Sequence, residues 1–286
     1  MTTDFYKYHA LGNDYIVIDP NIVNFNLSEK AIQLICDRNF GIGSDGILYG
    51  PIFTGDKIEL RIFNPDGSEA EKSGNGIRIF SRYLVDAGYI KTKTFQLTTL
   101  GGEVAVEVLN PEATLFKVDM GTVTFESELI PVTGSPRQTV AIDLPVNDLT
   151  LKATCLSIGN PHCVIPGSEV SQELAVSLGA KIENHPLFPK RINVQFLQVL
   201  DRQNIQIEIW ERGAGYTLAS GSSSCAAASA AYKLGLVDDR VKVHMPGGEI
   251  DIEIVGDRVF MTGGVSAVAQ GEFAKDFLSC LNLLID

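Results

Sequence analysis

The chain contains an internal repeat at an offset of 147 residues. Three blocks recur in that register: ALGNDYIVI (10–18) as SIGNPHCVI (157–165), IFNPDGS (62–68) as IWERGAG (209–215), and KSGNGIRIFSRYLVDAG (72–88) as ASGSSSCAAASAAYKLG (219–235). A constant register over three blocks indicates two related halves. If the halves face each other, similar loops lie on either side of one cleft, which can treat the two faces of a substrate almost alike.

Each half of the chain is predicted to fold as strands around one long helix. Ser73 can cap a helix that Gly88 ends, and the Ala- and Ser-rich segment Cys225–Leu234 predicts a second helix that is buried on every side. A hairpin with a Gly-Gly turn is predicted after each helix, at 95–108 and at 241–254. We therefore expect an α+β fold with two pseudo-symmetric domains, each a mixed β-sheet curled around a central helix, and a cleft between them.

The repeat also predicts how the chain divides into domains. The first half spans 1–121 and is completed by the C-terminal segment 268–286, whereas the second half spans 122–267. A length of 286 residues and a hydrophobic fraction of 45% suit two globular domains with cores of their own.

The composition argues against several classes of partner and cofactor. A net charge of −12 disfavours nucleic acid, and no stretch reaches the roughly 18 apolar residues of a membrane span. The five cysteines are scattered, odd in number and without C-x-x-C spacing, which predicts a reducing cytoplasm with neither disulfides nor a zinc site. The sequence has no P-loop, no dinucleotide fingerprint, no lysine context for pyridoxal phosphate and no ligand spacing among its histidines. We expect no cofactor and no metal.

Glycine- and serine-rich loops open both predicted helices. Gly74 and Gly76 punctuate the start of the first helix, and Ser220–Ser224 stands at the matching position of the second. Exposed N–H groups at a helix start bind anions, with help from the helix dipole. A carboxylate held at both starts would have its α-carbon between Ser73 and Ser220. The alternative is a pair of ordinary capped helices.

A Glu–Arg pair and a set of asparagines complete the candidate site. Glu211 and Arg212 end a predicted strand, where Arg offers a bidentate fork for a carboxylate and Glu a counter-charge for an ammonium. Neutral amides suit a zwitterion, and five occur in this context: Asn13, Asn64, Asn75, Asn160 and Asn193. Taken singly, the pair could be a surface ion pair, each asparagine a turn residue and His162 a structural histidine.

Six motifs spread over the chain carry a family resemblance: HALGNDYIVID, NFGIGSDGIL, FNPDGSEAEKSGNGIR, GNPHCVI, FPKRINVQF and WERGAGYTLASGSSSCAAA. They resemble the diaminopimelate epimerase family of cofactor-independent amino-acid epimerases and racemases, which implies a role in lysine biosynthesis. The resemblance implies that one group removes the α-proton and a second delivers a proton to the opposite face. It places the reacting carboxylate at Gly74, Asn75, Gly221 and Ser222, and the distal end of the substrate at Asn13, Asn64, Asn160, Asn193, Glu211 and Arg212.

The chain departs from that family at the positions of the chemistry. The family uses two cysteines that face each other across the cleft, and both positions are serine here, Ser73 and Ser220. A serine hydroxyl is a far weaker acid than a thiol and needs a partner base to act. The neighbourhood differs as well: Gly46 stands where Gln is frequent, Lys72 precedes Ser73, Tyr216 stands where an acid is frequent, and Gly221-Ser222-Ser223 replaces Gly-Thr-Gly.

Three explanations of the serines stay open at this point. The chain is a diverged paralogue with different isomerase chemistry, an engineered double Cys→Ser form of a working epimerase, or a binding protein that has lost catalysis. We expect an epimerase-like isomerase acting at the α-carbon of a small amino acid, with Ser73 and Ser220 in the catalytic positions. The alternatives are a non-catalytic amino-acid-binding paralogue and a tautomerase or isomerase of a small carboxylic acid. A homodimer is a candidate assembly.

Overall fold

The computed structural model describes residues 4–23, 25 and 27–283. The described strands are β1 (Phe5–Ala10), β2 (Asn13–Ile18), β3 (Ile47–Thr54), β4 (Lys57–Phe63), β5 (Glu69–Ala70), β6 (Thr94–Thr99), β7 (Gly102–Val108), β8 (Leu115–Thr122), β9 (Ile142–Val146), β10 (Leu149–Ser157), β11 (Pro161–Gly167), β12 (Asn193–Asp201), β13 (Asn204–Glu211), β14 (Gly215–Thr217), β15 (Arg240–Met245), β16 (Gly248–Val255), β17 (Arg258–Gly264) and β18 (Ser266–Gly271). The α-helices are α1 (Glu29–Cys36), α2 (Gly74–Asp86), α3 (Gln172–Glu183), α4 (Gly221–Lys233) and α5 (Lys275–Leu283), and a 3₁₀ turn lies at Ser127–Leu129.

The chain divides into two compact units, Met1–Val118 with Gly263–Asp286, and Asp119–Thr262. The backbone passes from the first unit to the second within β8 and returns within β17. The repeat predicts these boundaries a few residues further along the chain, after 121 and after 267. Residues 1–3 and 284–286 of the predicted first domain lie outside the described residues.

The first unit is a mixed sheet that packs on α2. β2 runs parallel to β3 and β4 to β6, whereas β1–β2, β1–β18, β3–β4, β6–β7 and β7–β8 are antiparallel. The helix α2 packs against β1, β2 and β3. The apolar residues that the sequence places at helical spacing, among them Ile77, Phe80 and Leu84, are buried on this helix. A separate cluster that includes Ile16, Ile35 and Phe273 joins the sheet to α1 and α5.

The second unit repeats this plan around α4. β11 runs parallel to β12 and β13 to β15, whereas β9–β10, β10–β11, β12–β13, β13–β14, β15–β16 and β16–β17 are antiparallel. The helix α4 packs against six strands, β10, β11, β12, β13, β15 and β16. All residues from Ser223 to Ala231 are buried, which confirms the prediction from its Ala- and Ser-rich composition for most of the helix. The prediction is wrong for Tyr232 and Lys233 in the last turn, which are exposed.

The strand register shows the internal repeat directly. Ile16 pairs with Ile47 between β2 and β3, and their equivalents at the offset of 147, Cys163 and Val194, pair between β11 and β12. α2 and α4 also begin at equivalent positions. The two predicted hairpins are β6–β7 and β15–β16, each with its Gly-Gly turn. The α+β class and the two pseudo-symmetric halves are therefore confirmed.

Candidate active site

Both predicted catalytic serines cap a helix. Ser73 has extended backbone before α2, and its Oγ accepts a hydrogen bond from the N–H of Gly76 at 3.0 Å. Ser220 has the same conformation before α4, and its Oγ accepts from the N–H of Ser223 at 3.5 Å. A capping side chain uses one of the N–H groups that a helix start leaves without an intrahelical partner. Each serine oxygen thus lies at the positive end of a helix, where negative charge is favoured.

We call the candidate site residues of the first unit the first half-site, and those of the second unit the second half-site. The first half-site contains a buried guanidinium close to the start of α2. Arg78 is fully buried, and its side chain turns back towards the start of α2 to donate to the carbonyl of Gly74 at 3.3 Å and to Oδ1 of Asn75 at 2.8 Å. With its Oδ1 held in this way, Asn75 donates through Nδ2 to Oδ1 of Asn13 at 3.1 Å. The positive charge of Arg78 adds to the potential of the helix dipole, so this half-site suits a carboxylate.

A network of charged side chains orients the amide of Asn13 through its Nδ2. Asn13 Nδ2 donates to Oδ2 of Asp45 at 2.9 Å, and Arg38 donates to both Asp45 and Asp14 at 2.7 Å. Burial opposes ionisation of Asp14, but hydrogen bonds from Arg38 and Lys7 hold the pKa of its carboxyl below the usual value. The Asn13 amide is therefore fixed with its oxygen towards Asn75.

Asn64 has a different set of contacts from the other asparagines of this half. It follows β4 directly, its N–H donates to the carbonyl of Ser68 at 2.8 Å, and its Nδ2 donates to the Ser68 Oγ at 3.0 Å. Its amide thus helps to close the turn that follows β4 and is half-buried. A role in substrate binding stays a prediction for Asn64.

In the second half-site, a buried histidine orients the equivalent asparagine. Asn160 Nδ2 donates to the Oγ of Ser222 at 3.4 Å, while its Oδ1 lies 2.9 Å from Nε2 of His162. This arrangement makes Nε2 the protonated nitrogen of a neutral imidazole. Burial lowers the pKa of His162 to about 3, the neighbouring Gln195 side chain raises it in part, and the charge of Arg212 lowers it further. His162 stays neutral at physiological pH.

Asn193 connects the segment at Pro161 to the turn at Arg212. Its Nδ2 donates to the carbonyl of Pro161 at 2.9 Å, and its Oδ1 accepts from the backbone N–H of Arg212 at 3.0 Å. The guanidinium of Arg212 is exposed and donates to the carbonyl of Lys190 at 3.3 Å. The predicted residues Asn160, Asn193, Ser222 and Arg212 therefore belong to one connected set in the second unit.

A buried carboxylate that the sequence did not single out supports the Glu211–Arg212 turn. Glu183, the last residue of α3, accepts from the indole of Trp210 at 2.8 Å and from the N–H of Gly213 at 2.9 Å. These two donors lie just before and just after the pair. Asp45, Arg78 and Gln195 were also outside the prediction. Each of the three lies in a family motif, Asp45 in NFGIGSDGIL, Arg78 in SGNGIR and Gln195 in INVQF. These motifs are the sequence feature from which the three residues could have been identified.

The positions at which the sequence departs from the family pattern have local partners in the structure. Tyr216 donates to Oε2 of Glu208 at 2.7 Å, and burial followed by this hydrogen bond raises its pKa to about 12. Ser223 accepts from Nε2 of Gln195 at 3.0 Å inside the second unit. Gly46 faces the ring of Tyr15. These substitutions are thus accommodated by particular neighbours.

Within the part of the chain that the structure describes, no group of three or more His, Cys, Asp or Glu side chains is placed to hold a metal ion. No described helix is both long enough and apolar enough to cross a membrane.

Comparison with known proteins decides the family. The family model for diaminopimelate epimerase matches residues 5–126 and 154–268. The chain is 53% identical over 277 residues to diaminopimelate epimerase 2 from Nostoc sp., an alignment that covers 96% of this chain and 97% of the relative. The chain belongs to the diaminopimelate epimerase family. It is 38% identical over 283 residues to diaminopimelate epimerase from Moorella thermoacetica, covering 95% of this chain and 99% of that one.

A solved structure shares the fold at much lower identity. The probable proline racemase from Agrobacterium radiobacter, solved with bound carbonate, superposes with a TM-score of 0.70 at 13% identity, covering 95% of this chain and 93% of that one. Membership of the diaminopimelate epimerase family makes this protein an isomerase of the cofactor-independent epimerase type, as the motifs predicted.

Proposed function

We propose that this chain moves a proton at the α-carbon of a small amino acid, with Ser73 and Ser220 serving the two faces. The observation that carries the proposal is the equivalence of the two serines, which cap α2 and α4 at the same position of the repeat. A proton that leaves one face and returns to the other inverts the centre. Two equivalent groups are what such a reaction needs.

The helix starts supply the proposed carboxylate site. Gly74 and Gly221 are the first residues of their helices, and Asn75 and Ser222 follow them. N–H groups at a helix start stabilise a bound carboxylate and also the negative charge that develops when the α-proton leaves. The buried charge of Arg78 supports this role in the first half-site.

We propose diaminopimelate as the first substrate to examine, since the relatives at 38% and 53% identity carry that name. Diaminopimelate is a zwitterion at each end. Its distal end would bind Glu211 and Arg212 together with the asparagines Asn13, Asn64, Asn160 and Asn193, where a bidentate guanidinium suits the distal carboxylate. The fixed amides of Asn13, Asn160 and Asn193 support this assignment, because preorganised groups lose little entropy on binding.

The serines are best explained by divergence. Tyr15 lies at hydrogen-bonding distance from Ser73, and its ring lies against Gly46, so two altered positions of the first half-site meet at one tyrosine. An engineered exchange of two cysteines would leave such neighbours unchanged. The connected changes favour a paralogue whose site has adapted to serine.

Hydrogen exchange in deuterated water is the test of the proposed function. The protein is incubated with LL- and meso-diaminopimelate and with a panel of other amino acids, and loss of the α-proton signal is followed by NMR. Exchange that depends on both Ser73 and Ser220 supports the proposal. Binding in calorimetry without exchange of any α-proton would instead identify an amino-acid-binding paralogue. A homodimer and a cytoplasmic location stay predictions, which light scattering and cell fractionation address.

A further inference from the structure

We propose that Tyr15 is a positioning residue that exchanges a proton with Ser73 and so lets a serine act where the family uses a cysteine. This inference rests on the proposed function and deepens it at one half-site. It assigns a role to a residue that the motif comparison alone leaves unassigned.

The two hydroxyl groups are within hydrogen-bonding distance. Tyr15 Oη lies 3.3 Å from Ser73 Oγ, and either oxygen can be the donor. Tyr15 is buried on β2, so its ring is held by packing. Ser73 Oγ also accepts from the N–H of Gly76 at 3.0 Å, which leaves its own proton available to Tyr15 or to a substrate.

Gly46 makes room for the tyrosine ring. A Cβ at this position would lie 2.8 Å from Cε1 of Tyr15 and 2.5 Å from the carbonyl of Phe63, closer than side chains tolerate. A residue such as Gln therefore requires a different placement of the ring. Gly46 thus leaves room for the ring whose hydroxyl contacts Ser73, so two departures from the family pattern meet at Tyr15.

The internal repeat places a second titratable ring at the same position. The residue equivalent to Tyr15 at the offset of 147 is His162, in the aligned segments LGNDYIV and IGNPHCV. His162 orients Asn160, which in turn contacts the start of α4. The sixth residue of each nine-residue block thus carries a polar ring on the strand next to the capped helix.

The acidity of the groups explains what the tyrosine adds. A phenol is a stronger acid than an aliphatic hydroxyl, so Tyr15 can carry a charge that Ser73 alone cannot. When the α-carbon is protonated, Ser73 Oγ donates its proton to the carbon. Tyr15 Oη donates its own proton to Ser73 Oγ at the same time, which leaves a phenolate. In the reverse direction the phenolate takes the serine proton as Ser73 Oγ takes the α-proton. Serine stays neutral throughout, and one C–H bond is exchanged for one phenolic O–H bond.

The first measurement is α-hydrogen exchange of meso-diaminopimelate in deuterated water, followed by NMR between pH 6 and pH 10. Tyr15→Phe keeps the ring and removes the hydroxyl. We expect its maximal exchange rate to fall about 10²-fold with little change in KM, because a lost proton-transfer partner affects the chemical step. The pH profile of exchange should change as well.

Tyr8→Phe is the matched control. Tyr8 is also buried, pairs with Tyr15 across β1 and β2, and donates its hydroxyl to Asp86 at the far end of the same helix α2. Its replacement removes a comparable hydrogen bond from the same unit but should leave the pH profile of exchange unchanged.

The second measurement needs no substrate. In Ser73→Cys, the pH dependence of alkylation by iodoacetamide reports the pKa of the introduced thiol, with the modified peptide located by mass spectrometry. The native cysteines other than Cys280 are buried, so they should contribute little background. Adding Tyr15→Phe should raise the pKa of the thiol, because a phenol that donates to the thiolate is lost.

The outcomes separate the inference from the function. Exchange that falls in Tyr15→Phe, together with a raised thiol pKa, supports the inference. Normal exchange in Tyr15→Phe, or an unchanged alkylation profile, overturns the inference and leaves the proposed function intact. No exchange by the unaltered protein with any amino acid of the panel overturns the proposed function and, with it, the role of Tyr15.

Discussion

The indole N–H of Trp210 donates to the buried carboxylate of Glu183 across 2.8 Å, just before the Glu211–Arg212 pair. The same carboxylate accepts from the N–H of Gly213 on the other side of the pair. Gly179 allows α3 to approach, since a Cβ there would overlap the Trp210 ring. The turn that carries the proposed distal anchor is therefore held from inside the second unit.

Glu183→Ala should weaken both stability and substrate binding. Two partly buried donors lose their acceptor, which costs up to about 1–3 kcal/mol for each donor left without a partner. Urea unfolding measures the stability loss, and the KM for diaminopimelate should rise because the Arg212 turn is less well fixed. Arg191→Ala is the control: this residue pairs with Glu183 at 3.1 Å, but its side chain is 54% exposed. Removing it should cost no more than about 1 kcal/mol. An equal loss in both variants would contradict a special role of these two donors.

Arg212→Lys should reduce the affinity for diaminopimelate by about tenfold or more, because an ammonium cannot reproduce the bidentate fork of a guanidinium. The backbone N–H of residue 212 would still bind Asn193, so the fold of the turn should persist. Calorimetry measures the affinity. Arg202→Lys is a suitable control, since Arg202 belongs to the same unit and forms an exposed ion pair with Asp238. Unchanged binding in Arg212→Lys would show that the guanidinium is structural.

The buried His162 should make the fold less stable in weak acid. Its pKa is about 3 in the folded protein, against about 6.5 in an unfolded chain. Between these values the unfolded state binds the proton and the folded state does not, so stability falls as the pH is lowered through this window. From pH 7 to pH 5 the loss from this residue should be about 2 kcal/mol. Urea unfolding of the wild type and of His162→Gln at both pH values checks this, and parallel pH dependences in the two proteins would rule it out.

Ser73→Cys combined with Ser220→Cys should increase α-proton exchange by about 10²-fold or more, because a thiol at a helix start forms a thiolate near neutral pH. Each single replacement should do much less, because inversion needs an acid and a base on opposite faces. NMR in deuterated water measures the effect with each amino acid of the panel. If the double variant folds, binds an amino acid and shows no faster exchange, the assignment of Ser73 and Ser220 as the catalytic positions is wrong.

The fold was predictable because its main features are local or repeated. The caps of α2, the Gly-Gly turns of the hairpins and the Ala- and Ser-rich composition of α4 each determine structure over a few residues. The constant offset of the repeat then extends the same plan to both halves. Such signals need no knowledge of contacts between distant residues.

The supporting side chains of the site could not be found in this way. Glu183 lies at the end of α3, about thirty residues before the turn it supports, and no periodicity connects the two. Arg78 has the spacing of a helix residue, and only the structure shows that its charge is fully buried. The role of Gly46 also depends on a close approach to Tyr15 that only coordinates can measure.

The two halves share their strand and helix arrangement but differ in charge at one equivalent position. The position that holds the buried Arg78 near the start of α2 is occupied in α4 by Cys225, which is neutral and also buried. If Ser73 and Ser220 serve the two faces as proposed, negative charge is favoured more strongly at Ser73, which has Arg78 close by, than at Ser220. Since the equilibrium between two stereoisomers is a property of the isomers alone, this bias cannot alter how much of each is formed. The same equilibrium fixes the ratio of kcat/KM in the two directions at every pH, so the bias acts on kcat alone. At saturating substrate, an L-to-D and a D-to-L assay of the same protein should therefore have different pH optima.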